Sequence, residues 1–346
     1  VLANGFAAMI DIPGLNYRAH RYKEAYDQLP QNLILGSETA STVSSRGVYK
    51  FPVEDKKSAT YDDHQCSSYD VEACSWSNIP DEDFALADDN HWTIGQFVWT
   101  GFDYLGEPSP YDTNAWPNHS SMFGIIDLAS IPKDRYYLYR SVWNKKAETL
   151  HILPHWTWPG REGKVTPVFV YTNHPTAELF INGKSYGKQS KNNSSLKNRY
   201  RLMWMDAIYE PGEIKVVAYN KDGKAVAEKI VRTAGKPHHI ELVSNRNELT
   251  ADGKDLAYIT VKVVDKDGNL CPADSRQINF SVKGAGKYRA AANGDPTNLE
   301  QFHLPKMHTF NGMLTAIVQS GETAGEIVLT AKASGVKAGN IRIQTK

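Results

Sequence analysis

The chain has 346 residues, 41% of them hydrophobic and 23% charged, which is enough for two or three domains that each bury a core. Lysine plus arginine and aspartate plus glutamate each number 39, and this zero net charge argues against a nucleic acid as partner. The sequence contains no run of 18 apolar residues, so it predicts no membrane span.

The first part of the chain alternates short apolar stretches with helical patterns. A stretch ending before Asn16 is followed by a helix over 22–29, a buried strand over 33–35, a helix over 80–91, a strand over 94–100 and a helix over 134–143. Strands that alternate with helices predict a parallel α/β structure. Because two or three strands cannot close a barrel, this part is either a small open α/β unit or the end of a barrel whose beginning is absent.

The periodicity changes to two from residue 164 onward. Asn182-Gly183 and Asp222-Gly223 each separate two alternating stretches, which is typical of a β-hairpin. Residues 235–237 (GKP) indicate a linker, and a second series of short strands follows it. The sequence therefore predicts two successive β-sandwiches, over 160–234 and 237–346.

Glu38 is the leading candidate for a catalytic group. It follows the predicted strand over 33–35, and in (β/α)8 enzymes the catalytic groups collect at the carboxyl ends of the strands. By position alone, a solvated loop glutamate is an equally good interpretation.

A second group of candidates follows the next strand. Trp99 stands at its end, where an indole can form an apolar floor for a sugar ring, although tryptophan is also a common core residue. The loop beyond it, which includes Asp103, Glu107 and Trp116, mixes carboxylate, aromatic and imidazole groups. That mixture suits a polyhydroxylated ligand, although an ordinary surface loop can also show it.

Several motifs, in this order, resemble glycoside hydrolase family 2, and most of all its bacterial multidomain β-galactosidases. They cover nearly the whole chain: residues 14–17 (GLNY), 34–39 (ILGSET), 67–70 (SSYD), 96–108 (QFVWTGFDYLGEP), 123–127 (FGIID), 132–137 (PKDRYY), 151–156 (HILPHW), 294–297 (GDPT) and 310–313 (FNGM).

The resemblance implies a fold. Residues 1–150 would be the C-terminal portion of a (β/α)8 TIM barrel, containing its strands 6–8. Two immunoglobulin-like β-sandwiches would follow, over 160–234 and 237–346. The N-terminal domains and the first five barrel strands would be absent, so the chain is expected to be a fragment.

The resemblance also implies roles for single residues. Glu38 matches the family's nucleophile, Tyr17 the tyrosine that contacts it, and Trp99 the tryptophan that lines the sugar subsite. The expected substrate-binding residues are Asn16, Tyr17, Trp99, Asp103, Glu107 and Trp116. The family's acid/base glutamate lies on the fourth barrel strand, for which this chain has no counterpart, so the chain alone is expected to be inactive.

The implied substrate is a terminal β-D-galactoside of an oligo- or polysaccharide. β-Glucuronidases of the family carry an Asn-x-Lys motif that binds the sugar carboxylate, whereas this sequence has Asn118-His119-Ser120 at that place. Ser41 stands where some family β-galactosidases have a histidine, so β-glucuronidase and β-mannosidase remain alternatives.

Other properties follow only in outline. No cofactor is indicated, while a metal ion and oligomerisation of the intact enzyme are left open. For a bacterial member a periplasmic or extracellular location is expected. The alternative from a different functional class is a non-catalytic carbohydrate-binding or adhesive surface protein, which would not need the paired signature of Glu38 and Trp99.

Overall fold

The structure, a computed structural model, describes residues 2–111 and 115–346. The first part contains five strands: β1 (Gly14–Asn16), β2 (Ile34–Thr39), β3 (Lys56–Lys57), β4 (Glu72–Ala73) and β5 (Thr93–Val98). β1, β2 and β5 form a parallel sheet in that spatial order, which confirms the predicted parallel arrangement. β2 runs further than predicted and includes Glu38. β3 and β4 pair with each other in the loop between β2 and β5.

Three helices accompany this sheet: α1 (Tyr22–Gln28), α2 (Pro80–Asp89) and α3 (Asp134–Trp143). Shorter 3₁₀ helices occupy Phe6–Met9 and Ala19–Arg21. All three predicted helices are present. α2 begins with a proline and has three acidic residues in its first turn, an arrangement that favours a helix start because acidic groups interact well with the helix dipole there.

The parallel sheet is open. Its three strands do not close on themselves, so the described residues show an α/β sheet and not a complete (β/α)8 barrel. Ile34 is buried against α1 residues and Trp92, whereas Ile94 and Phe97 of β5 are 49% and 66% exposed. The edge strand β5 thus presents apolar side chains to solvent.

Two antiparallel sheets form the next unit. Its strands are β6 (Leu150–Leu153), β7 (Val168–Thr172), β8 (Thr176–Ile181), β9 (Lys184–Ser190), β10 (Leu202–Trp204), β11 (Glu213–Tyr219) and β12 (Ala225–Arg232). The orders are β10–β7–β6 and β12–β11–β8–β9, and one buried cluster around Trp156 and Trp204 joins both sheets into a sandwich. A short helix, α4 (Leu196–Tyr200), precedes β10. β6 lies before the predicted boundary at residue 160.

The predicted hairpin at Asn182-Gly183 is confirmed. It joins β8 to β9, and both residues have positive φ angles, 48° and 81°, as a tight turn between antiparallel strands requires.

A second pair of sheets, here called the last sandwich, completes the chain. Its strands are β13 (His239–Ser244), β14 (Glu248–Leu249), β15 (Leu256–Val264), β16 (Gln277–Gly284), β17 (Gly286–Ala292), β18 (Lys306–His308), β19 (Met313–Ser320), β20 (Gly325–Lys332) and β21 (Gly339–Thr345). The orders are β13–β15–β19–β17 and β14–β21–β20–β16–β18, and both sheets contribute to one buried core. The prediction of two successive β-sandwiches is therefore confirmed.

Buried polar contacts join the first sandwich to the α/β part. Arg201 forms an ion pair with Asp81 of α2, and both side chains have no exposed surface. The Tyr171 hydroxyl donates to the Asp70 carboxylate at 2.9 Å. The longest helices span ten residues, and no helix formed by residues 2–111 and 115–346 has the length and apolar character needed to cross a membrane.

Candidate active site

The carboxyl ends of β1, β2 and β5 lie side by side and bring three of the predicted residues together. Asn16 is the register partner of Glu38 in the pairing of β1 with β2. The backbone N–H of Trp99 donates to the carbonyl of Thr39 at 2.8 Å, which continues the pairing of β2 with β5. Because parallel strands end at one edge of their sheet, Asn16, Glu38 and Trp99 share this edge.

Tyr17 extends this edge beside Glu38. Its backbone N–H donates to the carbonyl of Glu38 at 2.9 Å, and its hydroxyl lies near the side chains of Ser41 and Glu38. Burial is the main reason why the pKa of Tyr17 is raised. The nearby Ser41 hydroxyl lowers that pKa, whereas the nearby Glu38 and Glu107 carboxylates raise it further. The phenol therefore stays protonated and can donate a hydrogen bond to the carboxylate.

Asn16 fixes the strand ends from the other side. Its side-chain oxygen accepts a 2.6 Å hydrogen bond from the hydroxyl of Ser37, the residue before Glu38. Asn16 and Ser37 therefore limit the movement of the backbone that carries Glu38.

Trp99 places an aromatic side chain directly after β5. It is partly exposed and packs edge-on against Tyr104, with ring centroids 6.0 Å apart. The Tyr104 hydroxyl donates to the carboxylate of the exposed Glu107. Burial, and then this hydrogen bond, raise the pKa of Tyr104. The Glu107 carboxylate is thus close enough to raise the pKa of Tyr17, and the protonated Tyr104 hydroxyl holds it in place.

Asp103 has a different environment from the other candidates. It is buried, and its carboxylate accepts from the ammonium of Lys133 at 2.6 Å and from the backbone N–H of Gly124 at 2.8 Å. Burial raises its pKa to about 6, and the charge of Lys133 opposes that rise. Lys133 also donates to the carbonyl of Ser44 at 2.7 Å. This geometry favours a structural role for Asp103, which joins two loops, over direct contact with a sugar.

Trp116 lies farther out, on the loop that follows Trp99. Its side chain is 66% exposed and stands near His119, with ring centroids 6.2 Å apart. This loop folds back on itself, since the backbone N–H of Gly106 donates to the carbonyl of His119 at 2.7 Å. The indole therefore presents an open aromatic surface.

Sequence reasoning gave no role to two residues that shape the site. Tyr104 packs against Trp99 and donates to Glu107, and Lys133 forms an ion pair with Asp103. The only available signal was their presence in or near the quoted motifs. Within the part of the chain that the structure describes, no three His, Cys, Asp or Glu side chains are grouped as a metal site would need.

The arrangement has a clear chemical capacity. A carboxylate at the edge of a parallel sheet, a protonated tyrosine near it and an indole at the end of the next strand together suit attack on the anomeric carbon of a bound sugar. The amide side chain of Asn16 adds a polar group for orientation.

Comparison with known protein families matches both sandwiches. Residues 240–342 match the glycoside hydrolase family 2 C-terminal domain 5, and residues 163–227 match a domain of unknown function, DUF4982.

Individual proteins align with almost the whole chain. β-Galactosidase BoGH2A of Bacteroides ovatus is 39% identical over 349 residues, covering 98% of this chain and 40% of that protein. A β-glucuronidase of Formosa agariphila is 25% identical over 75% of this chain and 26% of its own length. The crystal structure of a β-glycosidase from Bacteroides vulgatus superposes with a TM-score of 0.84 at 30% identity, covering 98% of this chain and 46% of that one. The chain thus spans less than half the length of these proteins.

Proposed function

The chain belongs to glycoside hydrolase family 2, and on that premise we propose that it is the nucleophile-bearing part of a retaining β-galactosidase. The observation that carries the proposal is the position of Glu38 at the strand edge, with Tyr17 and Trp99 at the ends of the two neighbouring strands. This edge is where (β/α)8 enzymes place their catalytic groups.

Glu38 would act in two steps. Its carboxylate attacks the anomeric carbon while an acid protonates the departing oxygen, which gives a covalent glycosyl-enzyme. The same acid, now a base, then activates the water that cleaves this ester and restores Glu38. Tyr17 donates a hydrogen bond that stabilises the charged, attacking form of Glu38. Trp99 packs against the apolar face of the sugar.

We further propose that the acid/base glutamate comes from barrel strands outside this chain. The two other candidate carboxylates have partners of their own, since Asp103 is paired with Lys133 and Glu107 accepts from Tyr104. The open parallel sheet, with Phe97 exposed on its last strand, supports a neighbour that would complete the barrel. The coverage of 40% and 46% of two long relatives supports the same view.

Galactose is the proposed sugar, with glucuronic acid as the second candidate. The 39% identity with a β-galactosidase supports galactose, whereas a β-glucuronidase is also among the relatives. A uronic acid needs a cation near its carboxylate. The Asn118 amide instead donates to the carbonyl of His64 at 3.2 Å, and Lys133 is committed to Asp103. These contacts favour a neutral sugar.

The proposal is tested with the longer polypeptide that contains this chain. Its kcat/KM is measured on 4-nitrophenyl β-galactoside, β-glucuronide, β-mannoside and β-glucoside, with Glu38→Gln as the inactive control. We expect the galactoside to exceed each other sugar by about tenfold or more, which is about 1.4 kcal/mol of transition-state binding. Preference for the glucuronide would replace galactose in the proposal. Hydrolysis of none of the four would contradict it and favour a carbohydrate-binding protein.

A further inference from the structure

β2 has one residue more than the neighbouring strand β1 just before Glu38. The consecutive residues 15 and 16 of β1 pair with Gly36 and Glu38, and the register passes over Ser37. An extra residue that interrupts the pairing of two strands is a β-bulge, and a bulge beside an active site re-aims a side chain. The candidate nucleophile therefore directly follows an irregular position of its strand.

The pairing of β2 with β5 has the same irregularity. The chain advances by three residues from Gly36 to Thr39, whereas the matching residues of β5, Gln96 and Val98, are only two positions apart. Both neighbours of β2 thus place one extra residue between Gly36 and Thr39. The bulge is therefore a property of β2 itself and includes the segment that carries the candidate carboxylate.

The bulge exchanges the two faces of β2 for the residues that follow it. In a regular strand side chains alternate, so Gly36 and Glu38 would share one face and Thr39 would lie on the other. Here a Cβ atom at Gly36 would lie 2.7 Å from the Thr39 methyl and 2.7 Å from the hydroxyl of Tyr22 in α1. Thr39 thus shares the face of Gly36, towards α1, and is buried there. Because adjacent residues point to opposite faces, the bulge directs Glu38, which is partly exposed, away from α1.

The Ser37 hydroxyl ties the bulge to β1, since it donates to the side-chain oxygen of Asn16 at 2.6 Å. Gly14, also on β1, leaves the space that the Ser37 side chain occupies. A Cβ atom at Gly14 would lie 2.6 Å from the Ser37 Oγ and 2.9 Å from its Cβ. The hydrogen bond therefore depends on a serine in β2 and on a glycine in β1, and a side chain at position 14 would push against the hydroxyl.

We propose that Ser37 is a positioning residue for the nucleophile, because its bond to Asn16 holds the bulge that turns the Glu38 carboxylate away from α1 and towards the sugar. Ser37 acts through the backbone that it shares with Glu38 and not through contact with the substrate. When this bond is lost, the bulge can relax and the carboxylate loses part of its alignment with the anomeric carbon. Loss of alignment slows the attack more than it weakens sugar binding. This inference rests on the proposed function of Glu38.

The test uses the polypeptide that contains this chain and separates kcat from KM. Both constants are measured on 4-nitrophenyl β-galactoside, and a 2-deoxy-2-fluorogalactosyl inactivator gives the rate of the attack step alone. Ser37→Ala is expected to lower kcat and the inactivation rate about threefold to tenfold, which is the effect of one hydrogen bond. KM should stay within about twofold of the wild-type value, since the substrate contacts are retained.

Gly14→Ala disturbs the same hydrogen bond from the neighbouring strand and leaves Ser37 and Asn16 unchanged. Its methyl group would displace the Ser37 hydroxyl, so kcat should fall at least as far as in Ser37→Ala. Because both substitutions act on one bond, the double variant should retain more activity than the product of the two single effects allows.

Ser190→Ala is the matched control. The Ser190 hydroxyl forms a 2.8 Å hydrogen bond with the Thr176 hydroxyl across β8 and β9, so this variant also loses a cross-strand hydroxyl bond, but in the first sandwich. It should leave kcat, KM and the inactivation rate unchanged. Urea unfolding of both serine variants shows whether a general loss of stability accompanies the change in rate, and we expect similar, small losses in the two proteins.

The contradicting results are distinct. A wild-type kcat and inactivation rate in Ser37→Ala, or an equal fall in Ser190→Ala, would overturn the positioning role. A raised KM with unchanged kcat would overturn it as well, because the bond would then serve sugar binding through Asn16. Independent effects of Ser37→Ala and Gly14→Ala would show that they do not act through one bond. Failure of the wild-type protein to cleave the galactoside would instead contradict the proposed function itself.

Discussion

The backbone N–H of Tyr17 donates a 2.9 Å hydrogen bond to the carbonyl of Glu38, so the ends of two neighbouring parallel strands are joined at these residues. The Tyr17 hydroxyl also lies near the Glu38 side chain. Strand pairing therefore joins Tyr17 to Glu38 through the main chain and brings the phenol close to the carboxylate.

Removal of the Tyr17 hydroxyl should slow the reaction. Tyr17→Phe keeps the ring and the backbone bond but removes the donor to the carboxylate. Since a hydrogen bond to a charged group contributes about 1.5–3 kcal/mol, kcat/KM for an aryl β-galactoside should fall about tenfold to a hundredfold. Tyr26→Phe is the control, because Tyr26 stacks on Trp92 with a centroid distance of 4.5 Å and its ring is retained. Equal rates for Tyr17→Phe and wild type would contradict this role.

Truncation of the Glu38 side chain should abolish turnover, and an added anion should restore turnover. Glu38→Ala is expected to lower kcat by a factor on the order of 10⁴ or more, as removal of a covalent nucleophile does. Azide can occupy the vacated space and attack the anomeric carbon, so it should restore turnover and yield the α-galactosyl azide, which NMR identifies. Glu24→Ala, an exposed glutamate of α1, should behave as wild type. Retention of more than a tenth of the activity by Glu38→Ala would exclude Glu38 as nucleophile.

The pH dependence of stability should reveal the buried carboxyl of Asp83. Burial raises its pKa to about 7, although the Asn78 amide donates to it at 2.7 Å. In the unfolded chain the pKa is about 3.9. Between these values the folded state binds more protons, so stability falls as pH rises from about 4 to 7.

Asp83→Asn keeps an acceptor for Asn78 and removes this titration. The variant should lose less stability than wild type over that pH range, by on the order of 2–4 kcal/mol, in urea unfolding at pH 4.5 and 7.5. Parallel pH dependence in the two proteins would refute the assignment.

Replacing only one partner of the buried ion pair between Arg201 and Asp81 should strongly lower the free energy of unfolding. Arg201→Met leaves the fully buried Asp81 without its cation, which should lower the free energy of unfolding by about 3–5 kcal/mol. Asp81→Leu in the same chain should recover most of that loss. Arg199→Met removes the neighbouring, more exposed pair with Asp89 and should cost about 1 kcal/mol or less. Similar losses in the free energy of unfolding for Arg201→Met and Arg199→Met, measured by thermal or urea melts, would contradict the expected effect of burial.

Local sequence patterns account for much of the fold. α3 occupies the predicted residues 134–143, and the Asn182-Gly183 hairpin has the predicted turn, because helix periodicity and turn residues act over a few positions. β17 was not predicted: its sequence, GKYRAAA, has weak strand preference, and its pairing with β19 depends on tertiary structure. The barrel assignment depends on family resemblance, since three strands indicate only a parallel sheet.

The candidate site likewise contains residues that local sequence patterns predict and contacts that they do not. The positions of Glu38 and Trp99 at the sheet edge were predictable because each stands at the end of an apolar strand, and their roles stay predictions. The ion pair of Asp103 with Lys133 was not, and it gives Asp103 a structural environment that the sequence left undetermined. The contact of Gln65 with Asp295 joins residues 230 positions apart, a separation at which local pattern holds no information.

Covalent trapping of the nucleophile tests the central claim most directly. The polypeptide that contains this chain is treated with 2,4-dinitrophenyl 2-deoxy-2-fluoro-β-galactoside, whose fluorine slows hydrolysis of the glycosyl-enzyme, and the labelled peptide is sequenced by mass spectrometry. We predict one fluorogalactosyl group per active site, attached to Glu38. Stoichiometric label on another residue, such as Glu107, would contradict the assignment.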